Sequence, residues 1–84
     1  MKSSHYIYIL KCCDNSLYTG YTNNVEKRVE THRQGKGSKY VRSRLPVMII
    51  YSEQFDNKIE AMKREAEIKK WDRETKIKNL SLNV

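Results

Sequence analysis

Two short β-prone runs lie close together in the first quarter of the chain, and they leave it little choice of local structure. Tyr6 to Cys12 reads YIYILKC, a β-branched and aromatic stretch, and Leu17 to Tyr21 reads LYTGY. Asp14-Asn15-Ser16 between them supplies turn chemistry, so the runs are expected to fold back as an antiparallel hairpin. Strand residues two apart share a face. Tyr6 and Tyr8 therefore point one way, while Tyr18 and Tyr21 point opposite ways. Gly20 inside the second run marks a close approach by backbone or by a ligand.

Thr22-Asn23-Asn24 can cap a helix, and Glu26 stands three residues after Asn23, as in a capping box. Val25 and Val29 give that helix an apolar side to about Arg33. Gln34 to Arg44 (QGKGSKYVRSR) combines glycines with Lys36, Lys39, Arg42 and Arg44, which predicts an exposed basic loop ending at Pro46. Val47 to Phe55 (VMIIYSEQF) is the most apolar stretch and is expected to be the central buried strand. Asn57 with Glu60 repeats the capping pattern and opens a helix to about Lys70. Asp72 caps a final helix with Ile77 and Leu80 facing inward. The fold class is α/β (α+β): a small three-stranded mixed or antiparallel sheet flanked by helices, in the order β-β-α-β-α-α, as a single domain over residues 1–84.

A chain of 84 residues buries only a thin core. Its 38% hydrophobic and 32% charged residues fit a folded protein rather than a disordered one. No apolar run approaches the ~20 residues that cross a bilayer, and no secretory signal is apparent. A cytoplasmic protein with no membrane association is expected, with adjacent Cys12 and Cys13 as reduced thiols. No set of Cys and His has zinc-ligand spacing. Seventeen Lys+Arg against ten Asp+Glu leave a net charge of +7. Such a field attracts polyanions, chiefly nucleic acid, in a salt-dependent way, although it also serves solubility.

Three sets of residues can carry chemistry. The hairpin tyrosines offer hydroxyls, although tyrosine also suits any half-buried strand. Arg28 and His32, four apart, meet on one side of the first helix. Arginine grips phosphate through paired N–H bonds and histidine moves protons near neutral pH, but a basic surface helix has the same composition. Glu65 falls on the packed side of the second long helix with Ala61, Met62 and Ile68. A carboxylate there needs a cation, which either Arg28 or a divalent metal can supply.

Taken together, these spacings resemble the GIY-YIG endonuclease superfamily. Tyr6-Ile7-Tyr8 stands at the Gly-Ile-Tyr motif and Tyr18-Thr19-Gly20 at the Tyr-Ile-Gly motif. The helix with Arg28 and His32 resembles the one carrying the family's essential arginine. Glu60-Ala61-Met62-Lys63-Arg64-Glu65 resembles the helix whose glutamate binds the metal. The segment Gly35 to Tyr40 and the Arg64-Glu65-Ala66 step are similar to the small stand-alone bacterial members. The resemblance implies a phosphodiesterase with one Mg²⁺ or Mn²⁺ ion held by Glu65. It implies that Arg28 stabilises the phosphate in the transition state, and that Tyr8, Tyr18 or His32 activates water. Lys36, Lys39, Arg42 and Arg44 would track phosphates and Tyr40 would stack on a base, with DNA favoured over RNA and a monomer expected. Gly20 belongs to the structural motif. Tyr6 replaces the first motif's glycine, and Tyr21 stands where the repair-nuclease relatives carry a lysine. The alternative is a nucleic-acid-binding protein that keeps the fold without turnover, or an interaction module whose charge is incidental.

Overall fold

The computed structural model describes residues 4–84. The hairpin forms as expected, with β1 (His5–Lys11) and β2 (Leu17–Thr22). After α1 (Val25–Arg33) and a four-residue α2 (Lys39–Arg42) comes β3 (Met48–Phe55). Helices α3 (Lys58–Lys69) and α4 (Arg73–Leu80) complete the chain. The order β-β-α-β-α-α holds, with α2 inserted where an open basic loop was expected. Ser38 starts that short helix by accepting from the Val41 N–H.

Both strand pairings are antiparallel and the spatial order is β2-β1-β3. The expectation of a central third strand is therefore corrected: β1 is central, and β3 is an edge. Ile7, Tyr8, Ile9 and Leu10 of β1 are each at most 1% exposed, whereas no residue of β3 is fully buried. A strand covered on both sides can hide a tyrosine as well as an isoleucine, so apolarity alone misplaces the centre. The β1–β3 register shifts between Ile9 and Leu10, which pair with Tyr51 and Ile49, leaving Ile50 as the extra residue of a bulge.

Helices cover both faces of the sheet. On one face Tyr8 and Leu10 pack with Val29 of α1 and Val41 of α2. On the other Ile7, Ile9 and Leu17 pack with Ala61 and Ile68 of α3, with Ile77 and Leu80 of α4 against them. The long helices start at side-chain caps. Asn24 accepts from Lys27 N–H, Asn57 from Glu60 N–H and Asp72 from Thr75 N–H. The first of these is Asn24, one residue past the Asn23 of the expected capping box. Cys12 is buried and Cys13 exposed, both as free thiols. No helix among the described residues is long and apolar enough to cross a membrane.

Candidate active site

The centre of the site is a contact between the sheet and α1. Tyr8 pairs with Gly20 across the hairpin, and its ring lies over that glycine. A Cβ at position 20 would meet Tyr8 Oη at 2.5 Å and Cζ at 2.6 Å. The close approach inferred for Gly20 is therefore a tyrosine side chain, neither backbone nor ligand. The ring cannot swing aside, because Tyr8 Oη is 2.8 Å from Nε2 of His32. When the imidazole carries its proton on Nδ1, the phenol donates to Nε2.

His32 is as buried as Tyr8, and its Nδ1 has no hydrogen-bond partner. Gly37, in the turn before α2, is pressed against that edge of the ring: a Cβ there would lie 2.2 Å from Nδ1. Two glycines thus shape the seat of the pair, one beneath the phenol and one beside the imidazole. Burial holds His32 below the usual imidazole range, and the positive charge of Arg28 pushes the same way. Burial likewise raises the Tyr8 hydroxyl far above the ordinary phenol value. Tyr18 and Glu65 add to that rise, while Arg28 opposes it.

Three of the expected residues, Tyr18, Arg28 and Glu65, thus act on the Tyr8 hydroxyl through their charges. Tyr18 lies beside it, with ring centroids 6.4 Å from Tyr8 and 5.4 Å from His32. Arg28 is exposed at the rim. It lines a cleft of about 340 Å³ with Thr22, Asn23, Asn24, Lys27 and Thr31, and it makes no ion pair among the described residues. Glu65 comes from α3 on the other face of the sheet. Its carboxylate is the weakest of the charges that act on the Tyr8 hydroxyl. Neighbouring Arg64 bonds Glu53 of β3, Nη2 to Oε2 at 3.1 Å, and also pairs with Glu67, which ties this part of α3 to the sheet.

The cation beside Glu65 is neither Arg28 nor, among protein groups, any cluster of ligands. It is Lys69, one helical turn on, with Nζ 3.6 Å from Oε2. The spacing of four residues could have identified it. Among the described residues no three His, Cys, Asp or Glu side chains gather as a metal cage. One carboxylate, 14% exposed and loosely paired with an exposed lysine, fits a Mg²⁺-like ion that keeps most of its waters and shares substrate oxygens.

The basic segment divides. Lys36, Lys39 and Arg42 are exposed and unpaired among the described residues. Arg44 is not available in the same way: its Nε bonds Asp14 Oδ2 at 3.1 Å and its Nη1 donates to the Tyr40 carbonyl. Tyr40 is already engaged, stacked on Tyr18 at 5.9 Å between centroids and covered by the Arg44 guanidinium at 3.8 Å. Tyr21 turns to the other face from Tyr18, and its hydroxyl meets His5 Nδ1 at 2.7 Å. Sequence reasoning missed Gly37 and Lys69. The first was visible only as the second glycine of Gly35-Lys36-Gly37.

Residues 4–79 match the model of the GIY-YIG catalytic domain. The chain is 58% identical over 76 residues to a UPF0213 protein of Staphylococcus haemolyticus, covering 90% of this chain and 93% of that one. It is 53% identical to a UPF0213 protein of Natronomonas pharaonis, over 90% of this chain and 89% of that one. Two solution NMR structures are similar. The UPF0213 protein BH0048 from Bacillus halodurans has a TM-score of 0.61 at 45% identity, covering 93% of this chain and 83% of its own. The protein EF2693 from E. faecalis has a TM-score of 0.66 at 42% identity, covering 96% and 88%. This chain therefore belongs to the GIY-YIG catalytic-domain family, whose chemistry is of the nuclease type.

Proposed function

We propose that the chain is a metal-dependent endonuclease that hydrolyses phosphodiester bonds of DNA, working in the cytoplasm as a single GIY-YIG domain over residues 1–84. The observation that carries this reading is the buried Tyr8–His32 hydrogen bond of 2.8 Å, set beside Tyr18 and within the fields of Arg28 and Glu65. A tyrosine buried this deeply does not exist as a free phenolate at neutral pH. It can act as a base only if its own proton leaves as it takes another. Nε2 of neutral His32 is placed to receive that proton.

In this reading Tyr8 accepts the proton of the attacking water while passing its own to His32, and Tyr18 orients the water. Arg28, without an ion-pair partner among the described residues, grips a non-bridging phosphate oxygen and stabilises the charge that builds there. The phosphate in turn offsets the repulsion that Arg28 exerts on a protonated His32. Glu65 would hold a divalent ion such as Mg²⁺ or Mn²⁺, which supplies Lewis-acid stabilisation of the phosphate and leaving oxygens when bound. Lys36, Lys39 and Arg42 follow the backbone, while Tyr40 and Arg44 build the wall behind Tyr18.

The test is single-turnover cleavage of branched, flapped, nicked and single-stranded DNA and RNA, with Mg²⁺ or Mn²⁺ and with EDTA. Metal-dependent cleavage is expected. Tight, salt-sensitive binding with no cut strand under any condition would replace this reading with that of a non-catalytic nucleic-acid binder.

A further inference from the structure

Of the six tyrosines, Tyr6 alone has no use inside the protein. Tyr8, Tyr18, Tyr21, Tyr40 and Tyr51 each bond through the hydroxyl, stack on another ring or pack into one of the two hydrophobic layers. Among the described residues the Tyr6 side chain does none of these. Half-buried, it lines a cleft of about 480 Å³ with Asn23, Asn24, Val25, Glu26 and Ser52. The register accounts for its place. Tyr6 shares a face with Tyr8 by alternation, and Ser52 of β3 stands opposite Tyr8, so both belong to the α1 side of the sheet. The turn from β2 into α1 closes the cleft from above.

This cleft does not suit a phosphate. Its charged lining residue is Glu26, exposed and without an ion pair among the described residues. The Asn23 amide and the Tyr6 and Ser52 hydroxyls add neutral polar groups, none with a hydrogen-bond partner among the described residues. A flat ring, a primary amide and a carboxylate together match a nucleobase. The ring offers a stacking platform, the amide donates and accepts at once, and the carboxylate accepts from an exocyclic amine. The volume falls within the ~300–1,000 Å³ of small-molecule sites. Asn23 and Asn24 also line the cleft that holds Arg28, so a cationic cleft and a neutral-to-acidic one share a wall. We propose that the Tyr6 cleft receives an unpaired nucleobase of the strand whose phosphate lies at Arg28. Tyr6 stacks on the base, and Asn23 and Glu26 read its edge. Cytosine and adenine bring an amine to Glu26, whereas thymine brings a carbonyl oxygen that the carboxylate repels. The position of this base beside the cut phosphate rests on the nuclease reading; the base site itself does not.

The test measures binding of single-stranded oligo-dC, oligo-dA and oligo-dT of equal length in EDTA, where no turnover occurs. Tyr6 ring signals are followed by NMR alongside. The parent is expected to bind dC and dA about fivefold or more tighter than dT, with the Tyr6 signals shifting as dC is added. Tyr6→Ala should lose about 5- to 150-fold in affinity for dC, the range for one stacked base. Its salt slope should stay at the parent's value, because no phosphate contact is removed, whereas Arg28→Ala should lower that slope by about 0.7. Tyr6→Phe keeps the platform and should keep most of the affinity. Glu26→Gln, an exposed change, should bring dT up to dC. Equal binding of the three oligonucleotides by the parent, no binding of any, or parental affinity in Tyr6→Ala each overturns the base site. Base-selective binding through Tyr6 in a protein that cuts nothing keeps the base site and removes the nuclease reading. Normal cleavage with an indifferent Tyr6→Ala does the reverse.

Discussion

The face of the sheet under α1 and α2 and the face under α3 and α4 fill their interiors by different means. Under α1 the buried groups include the polar rings of Tyr8 and His32, joined by a hydrogen bond and fitted against Gly20 and Gly37. Under α3 they are Ile7, Ile9 and Ile68, with aromatic and aliphatic side chains closing the rim. A hydrocarbon layer tolerates small shifts, because its contacts are many and undirected. A hydrogen-bonded pair pressed between two Cβ-free positions does not. In the proposed reading the first face holds the geometry of the chemistry, and the second presents Glu65 with its partner Lys69.

Four measurements bear on that division, from the largest effect to the smallest. Arg28→Ala and Glu65→Gln should each lower the single-turnover rate by about a thousandfold, as for other preorganised charge-stabilising groups, while the melting temperature stays near the parent's. Parental cleavage by both, at equal purity, removes them from the site. Ile68→Ala should cost about 2–5 kcal/mol of stability through its cavity, measured by denaturant unfolding, with the rate per folded molecule preserved. If that rate collapses instead, the two faces are not separable.

Gly37→Ala should cost about 1–3 kcal/mol by overpacking and should also slow cleavage, because the new methyl must displace His32. Imidazole nitrogen NMR will report the loss of the Tyr8 bond; a variant that keeps that bond at parental stability contradicts the tight seat. The smallest effect is with pH. The His32 pKa is lowered by folding, so above about 6.5 both states are neutral there and the term is fully favourable. As the pH falls from that value toward the lower folded pKa, the unfolded chain takes up a proton that the native one refuses, and stability declines. His32→Gln should flatten this limb of the stability profile, and an unaltered limb would assign it to other groups.

Much of this arrangement was legible in the sequence, for local reasons. The hairpin follows from alternation and an Asp-Asn-Ser turn, and Asn57 and Asp72 announce helices because a cap needs only its own next three residues. Arg28, His32 and Glu65 were readable as helix-spaced groups. The central strand was not, because Tyr6 and Tyr8 make β1 look half-polar while β3 carries more apolar residues on a single exposed edge. The pairing of Tyr8 with His32, and the reason for Gly37, join residues from different elements, so no spacing could reveal them. Lys69, four residues past Glu65, was within reach of spacing alone, whereas the engagement of Arg44 by Asp14, 30 residues away, was settled only by where the backbone carries them.

The positions of the site residues along the chain also bear on synthesis. Tyr8, Tyr18, Arg28 and His32 all come from the first 32 residues, whereas Glu65 arrives with α3 after the sheet's last strand. On a ribosome, the aromatic and basic half of the centre emerges well before its carboxylate. If the nuclease reading holds, a nascent chain lacks the carboxylate proposed for the metal until α3 has been made. The same order offers a test of the nuclease reading: two fragments divided between β3 and α3 should each be inert and should cleave only on reassociation.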